Sequence, residues 1–240
     1  MQSRLWPTIR DWWIERRTRE GLRRTIVQFV ANLWQFAGDC TPARRRRRYG
    51  DVDYDWEYRV DTTSASVGWR DRLLGLFLSP YQATEPALFS EMLASVDCDF
   101  SAYTFVDVGS GKGRTLLMAS DYPFRRIIGI ELLPTLHGIA EQNICRYKSD
   151  SQKCFNLTSI CVDARQFEFP CGPLLLYLFN PVPEAGLEQV VANLEQSLGA
   201  DPRPVYVIYH NSLLEHVLTR SALLRKVGGT HQYSIYAANV

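Results

Sequence analysis

The stretch TFVDVGSGKGRTLLMAS, residues Thr104 to Ser120, decides the fold. Thr104, Phe105 and Val106 are the β-branched and aromatic residues of a buried strand. Leu116, Leu117 and Ala119 suit a helix packed on a sheet, so the segment reads as a strand turning tightly into a helix. Gly109, Gly111 and Gly113 fall in the turn at alternate positions. Glycine permits positive φ and carries no Cβ, so a ligand can approach the backbone at a helix start. The order is that of a nucleotide-type cofactor site.

Spacing and charge narrow the ligand. A Walker phosphate loop needs Ser or Thr directly after Gly-Lys, whereas Gly111-Lys112 is followed by Gly113. The dinucleotide fingerprint G-x-G-x-x-G is not matched either, and an acid, Asp107, precedes the glycines. A carboxylate there repels a pyrophosphate and attracts a cationic amine or sulfonium, which fits S-adenosylmethionine (SAM).

Downstream the pattern continues as strand, helix, strand. Ile127-Ile128-Gly129-Ile130 ends in Glu131, 24 positions beyond Asp107, the length of one unit, and an acid there can accept both hydroxyls of a ribose. Pro134 opens the next helix. Ser159 to Val162 reads as a third strand ending in Asp163-Ala164, where the acid can bond an adenine amine and the small residue leaves room for the ring. GPLLLYLF, residues Gly172 to Phe179, is the continuous apolar run of a central parallel strand. It delivers Asn180, followed by Pro181-Val182-Pro183, to the crevice. Leu187 to Leu194 reads as a helix, Val205 to His210 as a fifth strand, Leu213 to Leu223 as a helix and Tyr233 to Ala237 as a last strand.

VDVGSGKG, IGIE, VDA and LFNP, in this order and spacing, give residues from about 80 to 240 a resemblance to class I, Rossmann-like, SAM-dependent methyltransferases. The resemblance implies an α/β, doubly wound, mostly parallel seven-stranded sheet with an antiparallel last strand. It implies that Asp107, Gly109, Ser110, Gly111 and Gly113 hold the methionine side of SAM, that Glu131 holds the ribose, and that Asp163 and Ala164 hold the adenine. PYQATEPALF, with Tyr81 and Thr84, more weakly resembles the pre-domain loop of the protein-lysine methyltransferase branch, which would close both residues over the cofactor. Helix capping alone also accounts for Thr84. Asn180 is the expected catalytic residue, orienting the acceptor by its side-chain or backbone carbonyl. The familiar [Asn/Asp]-Pro-Pro-aromatic of enzymes that methylate planar amino groups is absent. That leaves protein lysine or a small molecule ahead of a base, with Tyr177 and Phe179 as the remaining rings. His210 is a further proton acceptor. A catalytically silent SAM-binding scaffold is the alternative.

Ahead of this domain the composition changes. Residues 1–48 hold 12 of the 27 basic residues and only 4 of the 26 acidic ones, so the remainder is acidic overall. From Ile9 to Ala37 apolar residues recur at helical spacing, with Leu22, Ile26, Phe29, Val30, Leu33 and Phe36 on one face and six arginines around them. A basic amphipathic helix of this kind docks on its own domain or a second subunit, or meets an anionic membrane surface or a nucleic-acid backbone. Residues 1–48, closing on the run Arg44 to Arg48, read as a basic helical extension, and residues 49–78 as a linker and pre-domain segment before a domain at 79–240. The arginine run is either simply solvated or an electrostatic attachment to phospholipid or nucleic acid. Six cysteines without a C-x-x-C pair or a zinc spacing indicate a reduced, cytoplasmic protein with no metal site. Apolar runs are too short for a membrane span, which leaves peripheral attachment as the membrane option.

Overall fold

The computed structural model describes residues 5–39, 52–63, 73 and 81–238. The Arg44 to Arg48 run and most of the 64–80 segment lie outside the described residues. Contacts divide the chain into two compact units, Met1–Asp55 with Thr63–Gln82, and Trp56–Thr62 with Ala83–Val240.

In the first unit the apolar periodicity does not make one helix. Helix α1 (Leu5–Glu20) and helix α2 (Leu22–Asp39) are separated by Gly21 at φ +83°. Gly21 donates its N–H to the Arg17 carbonyl, and its own carbonyl accepts the Thr25 N–H and hydroxyl. A left-handed glycine is the usual way to end one helix and free the chain to begin another. Phe29 of α2 meets Trp12 and Trp13 of α1 at centroid distances of 6.3 and 5.6 Å. Within the stretch expected as linker, Val52–Tyr58 is a helix, α3.

The second unit is built on a seven-stranded sheet of order β3-β2-β1-β4-β5-β7-β6. Its strands are β1 (Thr104–Val108), β2 (Arg126–Glu131), β3 (Leu157–Cys161), β4 (Leu174–Leu178), β5 (Val205–His210), β6 (Leu224–Gly229) and β7 (Tyr233–Ala238). The first five pair in parallel, and β7 runs antiparallel to both β5 and β6. The helices are α4 (Pro86–Ala94), α5 (Arg114–Ala119), α6 (Pro134–Arg146), α7 (Glu184–Ala200) and α8 (Glu215–Thr219). The fold expected from the sequence is therefore present, including the antiparallel last strand.

Two local expectations change. The helix expected over Leu213 to Leu223 is only Glu215–Thr219, and the chain then forms β6. That strand is almost wholly exposed, with Arg225 and Lys226 on it and a bulge between Lys226 and Gly228, the marks of a protected sheet edge. Thr84 does not cap α4. Glu85 is the N-cap, Pro86 occupies the first turn, and the Thr84 hydroxyl is engaged elsewhere.

The central strands β1 and β4 are buried along their whole length, which is why they read as unbroken apolar runs. Each fully buried aliphatic side chain there contributes roughly 1.5–3 kcal/mol. Strand order reverses between β1 and β4. In an open parallel sheet, the crevice beyond the C-terminal ends of such a pair is where ligands bind. Val108 and Leu178 are register partners, so Gly109 and Asn180 follow a few residues apart across that crevice.

Candidate functional site

The glycine turn after β1 satisfies its own donors. Gly109 and Ser110 both donate N–H to the Ile130 carbonyl, at 2.8 and 2.9 Å, and Gly113 N–H reaches the Ser110 carbonyl at 2.8 Å. Glu131, at the end of β2, accepts the Gly111 N–H on one carboxylate oxygen (2.9 Å) and the Leu133 N–H on the other (2.7 Å). The sequence suggests N–H groups open to a ligand, but these four are used within the chain. A carboxylate stands where a phosphate would have to bind. All three glycines have positive φ. At Gly109 the need is doubled, because a Cβ there would lie 2.8 Å from Pro181 Cβ. The loop after β4 thus closes directly on the loop after β1.

Asp107 is buried beside this turn. Thr115 of α5 donates its hydroxyl to Asp107. Burial pushes the carboxyl up to about 7, the Thr115 bond opposes that shift, and the charge of Glu131 adds to it. Ser110 lies against Gly129, where a Cβ would come within 2.6 Å of its hydroxyl. That hydroxyl is buried with no hydrogen-bond partner among the described residues.

A second layer reaches the turn from the segment ahead of the domain, which sequence reasoning took for linker. Lys112, wholly buried, places its ammonium 2.8 Å from Asp61. Arg114 donates Nε–H to the Thr62 hydroxyl at 2.6 Å. Asn143 of α6 donates to the carbonyls of Asp61 and Lys112 and accepts the Asp61 N–H. The local signal was a Lys and an Arg set in and directly after the glycine turn. Their partners, some fifty residues earlier, were not legible.

At the ends of β4 and β5 a buried polar chain runs from Thr84 to Tyr177 to His210. The Tyr177 hydroxyl lies 2.8 Å from Thr84 Oγ1 and 2.7 Å from His210 Nδ1. Burial holds the imidazole down at about 4, so it is neutral at neutral pH. Phe179 stacks on the His210 ring, with centroids 3.9 Å apart. Tyr177 is enclosed by Phe89 and Phe105. Tyr177 is therefore not free to stack on a base, and one face of the half-buried Phe179 is covered by His210.

Asn180, in the left-handed region at φ 45°, uses both ends of its amide. Its Oδ1 accepts from the Tyr209 hydroxyl at 2.9 Å and its Nδ2 donates to the Asn211 carbonyl at 2.8 Å. The side chain clamps the ends of β4 and β5 together. At the end of β3, Asp163 caps a short 3-10 turn, Ala164–Gln166, and holds the Arg165 guanidinium at 2.6 Å, with Ala164 buried beside it. The structure therefore gathers Thr84, Asp107, the glycines, Ser110, Glu131, Asp163, Ala164 and Asn180 in one unit, whereas Tyr81 belongs to the other. Among the described residues no cluster of His, Cys, Asp or Glu is placed to hold a metal ion.

No protein-family model matches the chain, and no curated protein sequence matches it. Solved structures do. An RNA methyltransferase from Salinibacter ruber, in complex with S-adenosyl-L-homocysteine, is 19% identical at a TM-score of 0.45, over 65% of this chain and 92% of that one. The precorrin-6y C5,15-methyltransferase of Geobacter metallireducens is 14% identical at 0.47, over 65% and 90%. TrmN from Thermus thermophilus is 17% identical at 0.44, over 63% of this chain and 47% of its own. With its strand order, its antiparallel β7 and an acid-and-glycine turn at the switch point, the chain has the class I, Rossmann-like methyltransferase fold.

Proposed function

We propose that the protein binds SAM at the β1 turn and transfers its methyl group to an acceptor entering over the ends of β4 and β5. The observation that carries this is Glu131 seated on the Gly111 N–H, with Asp107 close by. Two carboxylates and a turn whose donors are already taken offer nothing to a pyrophosphate, and they suit a ligand with ribose hydroxyls and a cationic amine. In this reading Glu131, at the end of β2, faces the ribose, the glycine turn with Ser110 faces the methionine side, and Asp163 with Ala164 bounds the adenine end.

SAM supplies an electrophilic methyl carbon, and the chain supplies position. Holding the partners at near-attack distance is worth on the order of 7–11 kcal/mol in favourable cases. Since the Asn180 amide is committed to its clamp, its backbone carbonyl is the group we assign to orient the acceptor. His210, neutral and with no partner on Nε2 among the described residues, is suited to accept a hydrogen bond from that acceptor, while its lowered pKa makes it a weak base. Tyr177 is enclosed and one face of Phe179 is covered by His210, so these two rings do not form a sandwich for a base, which favours a small-molecule acceptor.

A SAM-binding scaffold without turnover is the second possibility, favoured by the clamp on Asn180. Incubating the protein and labelled SAM with cell extract separates the two. Labelled product that disappears with Glu131→Ala supports the enzyme. Tight adenosylhomocysteine binding without any product supports the scaffold.

A further inference from the structure

Helix α2 faces the wrong way for a helix that only packs on its own protein. The residues it buries are the polar Thr25 and Asn32, with Gln28 and the aromatic rings of Phe29 and Phe36 half-buried beside them. Gln28 and Asn32 bond each other at 2.9 Å, and Phe29 is taken up by the tryptophans of α1. Leu22, Ile26, Val27, Val30, Leu33 and Trp34 lie on the other side and are exposed, Val27 at 70% and Trp34 at 82%. At 100° per residue these six cover a continuous arc of roughly 140°, wider than a two-position coiled-coil seam. An apolar stripe of this size left open to water marks an interaction surface.

Charge selects what covers it. Arg23 falls within the arc, Arg24 beside it, and Arg10, Arg17 and Arg19 are exposed on α1. With 12 arginines and 4 acids over residues 1–48, a second copy would bring like charge against like charge in a self-complementary contact. A nucleic-acid backbone would satisfy the arginines and leave the apolar stripe in water. An anionic bilayer surface takes both, with Leu, Ile, Val and Trp in the headgroup boundary and guanidinium groups against lipid phosphates. No helix among the described residues is long and apolar enough to cross a membrane.

We propose that the exposed Leu22-to-Trp34 stripe of α2, with its flanking arginines, seats the protein on an anionic lipid bilayer surface. The test uses the full chain and vesicles of phosphatidylcholine with and without phosphatidylglycerol. Sedimentation with the anionic vesicles is expected, with little on phosphatidylcholine alone and a decline as salt is raised. The double variant Val30→Glu, Trp34→Glu, both sites exposed and glutamate a good helix former, should lower the vesicle partition about tenfold or more with unchanged circular dichroism. Arg23→Gln with Arg24→Gln should weaken the preference for anionic lipid. Partition equal on both vesicle types, or unchanged in the glutamate variant, would overturn the proposal. So would vesicle-free self-association that the glutamate variant abolishes, since a second copy would then cover the stripe.

Discussion

The ammonium of Lys112, within the glycine turn, lies 2.8 Å from the carboxylate of Asp61, 51 residues earlier, and has no exposed surface of its own. The contact ties the segment ahead of the sheet to the loop proposed to hold the cofactor. Removing one partner of a buried pair reduces the compensation of the other's charge. Because Asp61 is 42% exposed, Asp61→Ala should cost less than a wholly buried pair would, on the order of 1–3 kcal/mol. Lys112→Met, which removes the buried charge and leaves a solvated acid, should cost less than Asp61→Ala. Urea denaturation of both variants checks the order.

Gly109→Ala puts a Cβ into a left-handed backbone and against Pro181 at once. The strain is about 1–3 kcal/mol before any movement of the Pro181 loop. Cofactor affinity should fall more than stability does, since the loop after β4 must retreat. Calorimetric titration with adenosylhomocysteine, set beside a thermal melt, measures the two.

Asn180 allows its two proposed contributions to be separated. Its φ of 45° is tolerated by glycine and strained for alanine. If the backbone carbonyl orients the acceptor, Asn180→Gly should retain more turnover than Asn180→Ala. Tyr209→Phe, which removes the hydroxyl bonded to Asn180 Oδ1 and Leu214 N–H, should cost about 1–2 kcal/mol of stability. Turnover of both Asn180 variants reduced to the same level would assign the role to the side chain.

Two buried groups give opposite pH dependences. Asp107, raised from 3.8 to about 7, favours the fold while protonated, and that contribution is lost as pH rises through this window. His210, lowered from 6.5 to about 4, favours the fold while neutral, and its contribution is lost as pH falls from 6.5 towards 4. In the free protein the two oppose each other. Asp107→Asn removes one, so stability of that variant should rise with pH between about 4 and 6.5 more steeply than that of the wild type. Denaturation midpoints across that range check the slope.

The sheet was legible because β1, β2 and β4 are buried on both faces and their apolar runs end in residues that chemistry singles out, Asp107, Glu131 and Asn180. β6 was not, since an exposed edge strand with Arg225 and Lys226 has no core face to set its pattern. The break at Gly21 was hidden because apolar spacing runs on through it, and only backbone φ records the change of direction. The direction of the α2 stripe was likewise invisible, because periodicity says that a face exists and not what it meets. The Asp61 latch and the Thr84–Tyr177–His210 chain join residues 51, 93 and 33 positions apart, and nothing local in the sequence marks such partners.

Occupancy of the Gly111 N–H by Glu131 is the feature on which the cofactor assignment rests, and binding titrations on either side of pH 7 test it most directly. Adenosylhomocysteine should bind, more tightly as Asp107 ionises, with protons released on binding near neutral pH. Glu131→Gln should bind it at least about tenfold more weakly. ATP or NAD bound at this turn, with adenosylhomocysteine ignored at every pH, would contradict the account.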